Sequence, residues 1–328
     1  MALTVGRVSG AGIHSTTTME QVRTAIHTLS SLDFECDELM ARLNDTVVRL
    51  AAERAALDAG DPLQSQALTL GCAFGIYDPI TLSCTIALAG NPPPVLAHFD
   101  GTTEVPDLPQ APPLGASGDG AVFAATHIEL DEGSIIGLHT DEFLPTENRS
   151  RRPSQRSAAD PRGHRTLPGC PVQRGRTHAH SGTPEGDATL LLVRTYALDA
   201  DQVATWNLPA EPAAVATACA PAGRRLAEWG LDDLAFAAPL IVSELATNAV
   251  RYGTPLLTLR LINDRNLTCE VSDASPVAPH LRHAHSSDEG GRGLFICAEL
   301  AQRWGARFTD DGKTIWTEQE LPSTSPAA

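Results

Sequence analysis

The stretch that most constrains the fold of this chain is PLIVSELATNAVRYG, residues 239–253. Glu244 and Asn248 lie four residues apart, so on a helix their side chains are neighbours on one edge. A carboxylate there can accept a proton, and an amide oxygen can bind Mg²⁺. The alternative interpretation is an ordinary amphipathic helix with two solvated polar residues. Either way, apolar residues at helical spacing predict one face toward a core: Leu240, Ile241, Leu245, Ala249 and Val250.

Composition narrows the class of protein. The 328 residues allow two domains, and 42% hydrophobic content is sufficient for real cores. The sequence has no run of about 18 apolar residues and no basic-then-apolar N-terminal segment, so we expect a soluble, cytoplasmic protein without membrane contact. The net charge of −16 argues against direct binding of nucleic acid. The seven cysteines are scattered without metal-binding spacing, which favours reduced thiols.

The first half of the chain predicts helices followed by a meander of strands. A strand and a glycine turn lead into a helix with Met19, Val22 and Ile26 on one stripe, and a second helix follows over about 37–56. Alternating apolar segments separated by Gly and Pro turns then predict antiparallel strands. This order of elements is typical of an α+β fold. The predicted strands lie within residues 67–78, 81–90, 93–100, 121–130, 134–143 and 188–198.

Short motifs in this half resemble a known family. They are VGRVSGAG at 5–12, YDP at 77–79, AGNPPP at 89–94, PPLG at 112–115 and HTDE at 139–142. In order and spacing they resemble the phosphatase domain of the stage II sporulation protein E (SpoIIE) type, within the PPM family, over residues 3–147 and 184–196. The resemblance implies a sandwich that holds two Mn²⁺ or Mg²⁺ ions and hydrolyses phosphoserine. It also implies that the family's first strands are missing, because the chain starts after them.

The metal-binding positions depart from that family. Arg7 stands where the family has a metal-binding aspartate, and a guanidinium there should remove most of the affinity for a divalent cation. Ala11 replaces a histidine, and Gly186 replaces a second metal aspartate. Asp141 and Asp187 are the residual candidates for metal ligands. We therefore expect residues 1–197 to form a truncated, degenerate PPM-type domain.

Residues 148–183 have a different composition from the rest of the chain. The segment contains eight arginines, a single acid and almost no large apolar residues, which indicates an Arg/Pro-rich flexible insert. A basic contact with nucleic acid or acidic proteins, or an out-of-frame reading of the gene, are alternative explanations. The last residues, 322–328, are expected to form a disordered tail.

The second half predicts an independent domain over about 205–321. A strand near Trp206 leads into a helix that Pro221 should kink or break, and Asp232 and Asp233 are expected to cap the helix with Glu244. Two strands follow, and the second ends at Asp273, which is either a turn residue or an acceptor for the amine of adenine. A glycine loop at 290–293 then opens a helix predicted over 294–305, and a strand begins at residue 312. Such a loop is either a flexible turn or a phosphate cradle.

The order of these features resembles the GHKL (Bergerat) superfamily, in the version found in anti-sigma-factor serine kinases. This implies a two-layer α/β ATPase domain over about 205–321. The resemblance makes Glu244 the general base, Asn248 the Mg²⁺ ligand and Asp273 the adenine reader. The segment Asp273–Pro276 departs from the Asp-x-Gly-x-Gly of the wider superfamily. The phosphate-binding residues would be Gly291, Arg292 and Gly293, with Thr314 as a weaker candidate for the same pocket.

The leading functional hypothesis is an ATP-binding and Mg²⁺-binding regulator of the bacterial partner-switching type. It would phosphorylate serine or threonine on an anti-anti-sigma-type protein and contact a sigma factor, and a homodimer is compatible with the sequence. Three alternatives stay open: a non-catalytic module that binds a sigma factor or its antagonist, a working Mn²⁺- or Mg²⁺-dependent phosphatase, and a decayed or misread gene product.

Overall fold

The computed structural model describes residues 1–10, 13–56, 67–116, 120–140, 188–275, 293–309 and 312–321. The chain divides into two compact units. The first consists of Met1–Ser30 and Cys36–Ala197, and the second of Ser31–Glu35 and Leu198–Ala328. The predicted insert at 148–183 and the predicted tail at 322–328 lie outside the described residues.

The first unit contains two antiparallel four-stranded sheets. One sheet has the strand order β1-β2-β3-β6 and the other β5-β4-β7-β8. Inward-facing residues of both sheets share one core, for example Val5 and Ile86 from the first sheet with Leu96 and Leu138 from the second. The unit is therefore a β-sandwich. Its strands are β1 (Ala2–Val8), β2 (Leu70–Asp78), β3 (Ser83–Ala89), β4 (Val95–Ala97), β5 (Thr103–Glu104), β6 (Ala125–Glu129), β7 (Ile135–His139) and β8 (Leu190–Arg194).

Two helices cover the first sheet. Helix α1 (Ile13–Ser30) contacts β1, and α2 (Cys36–Ala55) packs on β2 and β3. The side of α2 that faces the sheet is fully buried because its apolar residues recur every three or four positions. These buried residues are Cys36, Leu39, Met40, Leu43 and Val47.

The second unit is a two-layer α/β domain. Its five antiparallel strands have the order β12-β13-β11-β10-β9, and α4 packs against β10 and β11 and between its two neighbouring helices. The apolar side of the sheet and the helix layer form one core. The elements are β9 (Val203–Leu208), α3 (Ala214–Glu228), α4 (Ala237–Tyr252), β10 (Leu257–Asn263), β11 (Asn266–Asp273), α5 (Gly293–Leu300), β12 (Arg303–Thr309) and β13 (Gly312–Glu320).

Both units are mixtures of helices and sheets, so the predicted α+β class is confirmed, but three local predictions require correction. Helix α3 continues through Pro221, so the break that was one of the two alternatives predicted there is absent. Asp232 and Asp233 form a separate 3₁₀ turn, and the N-cap of α4 is Phe236, which makes no side-chain capping bond. Helix α5 ends at Leu300, because the chain then enters strand β12, which pairs with β13. Among the described helices, none is long and apolar enough to cross a membrane.

Candidate functional site

Helix α4 buries three of the five residues of its predicted apolar stripe, whereas Leu240 and Val250 are only partly buried. Ile241, Leu245 and Ala249 are nearly inaccessible to solvent. Glu244 and Asn248 are half-buried, and both approach the beginning of α5. The helix therefore places a carboxylate and a carboxamide together at the edge between α4 and α5.

Gly293, the first residue of α5, lies directly against these two side chains. A Cβ atom at this position would collide with the Glu244 carboxylate and lie 3.5 Å from Asn248 Nδ2. The next turn of α5 stays close to the same carboxylate. Burial, and secondarily the charge of Glu244, raises the pKa of the Cys297 thiol to about 12. Glycine at 293 thus leaves the space that the Glu244 carboxylate occupies, and a side chain there would displace that carboxylate.

Asp273 lies at the end of β11 and is 5% exposed. Its Oδ1 accepts hydrogen bonds from the Ser275 amide at 2.8 Å and the Thr254 amide at 3.4 Å. The side chain of Lys313 on β13 donates to the same oxygen at 3.0 Å. Lys313 was missed by the sequence argument, although its place next to Gly312 in an alternating strand could have indicated it.

Two glycines close around Asp273. At Gly253, which ends α4, a Cβ would come within 2.9 Å of the Asp273 carboxyl carbon. At Gly312 a Cβ would overlap the Asp273 carbonyl, and its φ of +144° also favours glycine. Glycine at both positions therefore leaves the space that the backbone and the side chain of Asp273 occupy.

The structure does not bring Thr314 together with Asp273. Side chains alternate across a strand, and Lys313 is paired with Asp273 whereas Thr314 is paired with Ser272. Thr314 therefore points to the opposite face of the sheet, where its hydroxyl lies 2.8 Å from the Ser272 hydroxyl. Gly291 and Arg292 lie outside the described residues.

The residues of this edge fit a magnesium nucleotide. Asn248 Nδ2 is buried and has no hydrogen-bond partner in the described part of the chain. The oxygen and nitrogen of an amide are interchangeable by a flip of the side chain, so the same site can present an oxygen donor. An unsatisfied buried amide beside a carboxylate is costly unless a ligand completes it.

A polar cavity lies in the first unit, where the resemblance places the phosphatase metals. Its volume is about 150 Å³, and no carboxylate belongs to its described lining. Arg7 is the one cation in that lining, so the charge is the reverse of what a divalent metal requires. The cavity is lined by Arg7, Ser9, Thr69, Gly71, Gly90, Asn91, Pro113 and Thr140.

Metal ligands are not assembled in the described ranges. No group of three or more His, Cys, Asp or Glu side chains within them could hold a metal ion. Asp141 and Asp187, the predicted residual ligands, lie outside the described residues, as does Ala11. Their assignment to a metal site therefore stays a prediction.

These two units define the class of protein: a phosphatase-like sandwich followed by a two-layer, kinase-like ATPase domain. Comparison with family models agrees. The model of stage II sporulation protein E matches residues 1–196, and that of the histidine kinase-like ATPase domain matches residues 208–318. The chain belongs to the SpoIIE family and carries a histidine kinase-like ATPase domain after the SpoIIE domain. A comparison with curated proteins gives no match.

Solved structures show weaker similarity. The RsbU and RsbW domains of Rv1364c from Mycobacterium tuberculosis match with 20% identity and a TM-score of 0.40, over 98% of this chain and 86% of that chain. The PP2C phosphatase domain and a fragment of the regulatory domain of SpoIIE from Bacillus subtilis match with 13% identity and a TM-score of 0.33, over 43% of this chain and 37% of that chain. The SiaA-PP2C domain of Pseudomonas aeruginosa matches with 19% identity and a TM-score of 0.30, over 44% of this chain and 51% of that chain. The family assignment rests on the family models.

Proposed function

We propose that the second unit binds Mg²⁺ and ATP at the edge between α4 and α5 and phosphorylates a serine or threonine of an anti-anti-sigma-type protein. The chain would then be a regulator of the partner-switching kind, in which phosphorylation changes which protein is bound. A sigma factor is a further proposed partner. The observation that carries this proposal is the buried Asn248 Nδ2, which has no hydrogen-bond partner among the described residues and lies beside Glu244, facing the glycine that begins α5.

Each residue of the site has a proposed role. Asn248 would hold Mg²⁺, and Asp273 would accept a hydrogen bond from the amine of adenine. Gly293 stands at a helix N-terminus, where amide groups favour phosphate, and Gly291 and Arg292 precede it in the sequence. Thr314 has no such role in the proposal, because it points away from Asp273.

In the proposed phosphoryl transfer, the main contribution of the protein is to position the nucleotide, the metal ion and the acceptor hydroxyl. Mg²⁺ supplies charge neutralisation to the phosphates when it is bound. Glu244 accepts the proton of the incoming hydroxyl, the hydroxyl oxygen forms a bond to the γ-phosphorus, and ADP leaves. Half-burial of Glu244 against α5 restricts its access to water and holds the carboxylate at one edge.

The test of this proposal is Glu244→Gln in the full chain, with an anti-anti-sigma-type protein as acceptor. We expect phosphorylation of the acceptor to fall by a factor of about 100 or more, while the dissociation constant for Mg²⁺-ATP stays within about threefold. Glu228→Gln, which removes an exposed carboxylate of α3, is the matched control and should change neither quantity. Acceptor phosphorylation that is unchanged in Glu244→Gln would refute Glu244 as the general base. Absence of acceptor phosphorylation in the wild-type chain, with signalling unchanged in Glu244→Gln, would instead favour a binding module without catalysis.

The family match of residues 1–196 supports a second candidate function, a Mn²⁺-dependent phosphoserine phosphatase in the first unit. Arg7, the one charged residue in the described lining of the cavity, opposes it. We expect the full chain to show no Mn²⁺-dependent hydrolysis of a phosphoserine peptide. Hydrolysis that is lost on Asp141→Ala would establish the phosphatase and overturn this expectation.

A further inference from the structure

Lys313 is the only lysine in the chain, and it is buried, with 6% of its surface exposed. An ammonium group loses much of its hydration when it is buried, so it requires a charged partner and further acceptors. Lys313 finds both, since Nζ donates to Asp273 Oδ1 at 3.0 Å and to the Ser275 carbonyl at 3.4 Å. The lysine therefore belongs to the same constellation as Asp273.

The hydrogen bonds to Asp273 are strongly asymmetric. In the described part of the chain, three donors converge on Oδ1: the Lys313 ammonium and the backbone amides of Ser275 and Thr254. None of these donors is directed at Oδ2. Gly253 and Gly312 approach Asp273 closely, and the three donors on Oδ1 orient its carboxylate.

We propose that Lys313 is a positioning residue that fixes Asp273 with Oδ2 directed at the nucleotide base, and that it thereby makes the site selective for adenine over guanine. This inference rests on the proposed ATP-binding function. An ionised carboxylate can only accept hydrogen bonds. Adenine presents an amino donor where guanine presents an oxygen acceptor, so an oriented carboxylate accepts the first base and repels the second.

Lys313 need not touch the base to have this effect. Without the ammonium, Oδ1 would lose its strongest donor, and the carboxylate could take other orientations and other partners. Discrimination between bases that depends on hydrogen bonding falls when the oriented group is released. The lysine would thus act through Asp273, and its removal should change the choice of base more than the binding of phosphate.

The primary experiment compares the dissociation constants of ATP and GTP by calorimetry for the full chain and for Lys313→Met. Methionine keeps the length and the apolar stem of lysine but removes the charge. We expect the ratio of GTP to ATP dissociation constants to fall at least tenfold, mainly through weaker ATP binding. Arg303→Met, which removes an exposed cation from β12 of the same sheet, is the matched control and should leave the ratio unchanged.

A second measurement covers the case in which Lys313→Met does not fold, because it leaves a buried carboxylate unpaired. Since the chain has one lysine, the wild-type protein labelled with ¹⁵N at lysine Nζ gives one side-chain ammonium signal. We expect this signal to shift on addition of ATP and to stay in place on addition of GTP. A double variant, Asp273→Asn with Lys313→Met, removes both charges and should fold while binding ATP and GTP with similar affinity.

The outcomes separate the two proposals. A wild-type chain that binds neither ATP nor ADP refutes the nucleotide site itself. A wild-type chain that prefers ATP, together with a folded Lys313→Met variant that keeps the same preference, refutes the role of Lys313 and leaves the site intact. An ammonium signal that does not move when calorimetry shows ATP bound refutes that role in the same way.

Discussion

Replacing Gly293 by alanine should separate catalysis from folding at the proposed site. The added Cβ would collide with the Glu244 carboxylate, whereas its 3.5 Å distance from Asn248 Nδ2 is an ordinary contact. The carboxylate must therefore retreat by about 1 Å to reach van der Waals separation, while the amide stays in place. We expect the general base to be displaced and the Mg²⁺ ligand to be preserved.

The cost to stability should be small, because the displaced atom is the end of a flexible side chain. An altered Glu244 rotamer costs about 0.5–1.5 kcal/mol. Alanine is favoured over glycine inside a helix by about 0.5–1 kcal/mol, and somewhat less at the first position. The two effects oppose each other, so the free energy of unfolding should change by no more than about 1 kcal/mol. A misplacement of about 1 Å, by contrast, can lower a rate by about 100-fold.

The assay is the rate of ADP formation from ATP, measured with an anti-anti-sigma-type acceptor, together with the affinity for Mg²⁺-ATP and the melting temperature. Gly223→Ala in α3 is the matched control, since its Cβ would meet no atom within 4 Å. We expect that control to keep its rate and to gain about 0.5–1 kcal/mol of stability. A Gly293→Ala variant with the wild-type rate would refute the role of Glu244. A loss of several kcal/mol in the free energy of unfolding would refute the expectation that the Glu244 side chain can move aside at little cost.

Three further predictions concern the fold. Pro221→Ala should raise the free energy of unfolding of the second unit by about 1–3 kcal/mol, because proline inside α3 lacks an amide donor. Calorimetric melting measures this change, and a lower melting temperature would contradict the prediction. Leu43→Ala should cost the first unit about 2–5 kcal/mol by opening a cavity under α2, seen as a lower urea midpoint. Burial raises the pKa of the Cys72 and Cys84 thiols from 9.0 to about 11. Thiolate formation then favours the unfolded chain, so the stability contributed by these thiols is complete below pH 9 and is lost between pH 9 and 11. Denaturation measured as a function of pH checks this loss. Slow modification of the native-state thiols at pH 8, followed by mass spectrometry, checks their burial.

Periodicity predicted much of the fold because it reflects burial directly. The stripe of Ile241, Leu245 and Ala249 recurs at the helical period and is buried. The alternation along β11 likewise places Cys269, Val271 and Asp273 on the side that faces the helices. Where a single core determines which face of an element is apolar, the sequence alone shows that face.

The remaining features depend on register and on contacts distant in sequence. Helix α5 ends at Leu300 because the residues from Arg303 onward pair with β13, and no local signal indicates that pairing. Lys313 and Thr314 are adjacent in sequence, and only the pairing of β11 with β13 shows which of them faces Asp273. Asp232 and Asp233 fit a cap in sequence, but the intervening 3₁₀ turn separates them from α4.

The first unit illustrates a different limit. Its motifs were sufficient to predict a phosphatase-like sandwich, and the match to the SpoIIE model over residues 1–196 confirms the family. Motifs do not show whether the metal site still works, because that depends on the charges gathered around one cavity. Arg7 in the lining of that cavity is the physical reason to expect that the first unit binds metal weakly.

The measurement that tests the central claim most directly is calorimetric titration of the full chain with ATP and with ADP, with and without Mg²⁺, alongside Asn248→Ala. The proposed site predicts binding of both nucleotides by the wild-type chain, strengthened by Mg²⁺. It also predicts that Asn248→Ala abolishes the Mg²⁺-dependent part while the protein keeps its melting temperature. Absence of nucleotide binding in the wild-type chain, or an Asn248→Ala variant that responds to Mg²⁺ as the wild type does, would contradict it.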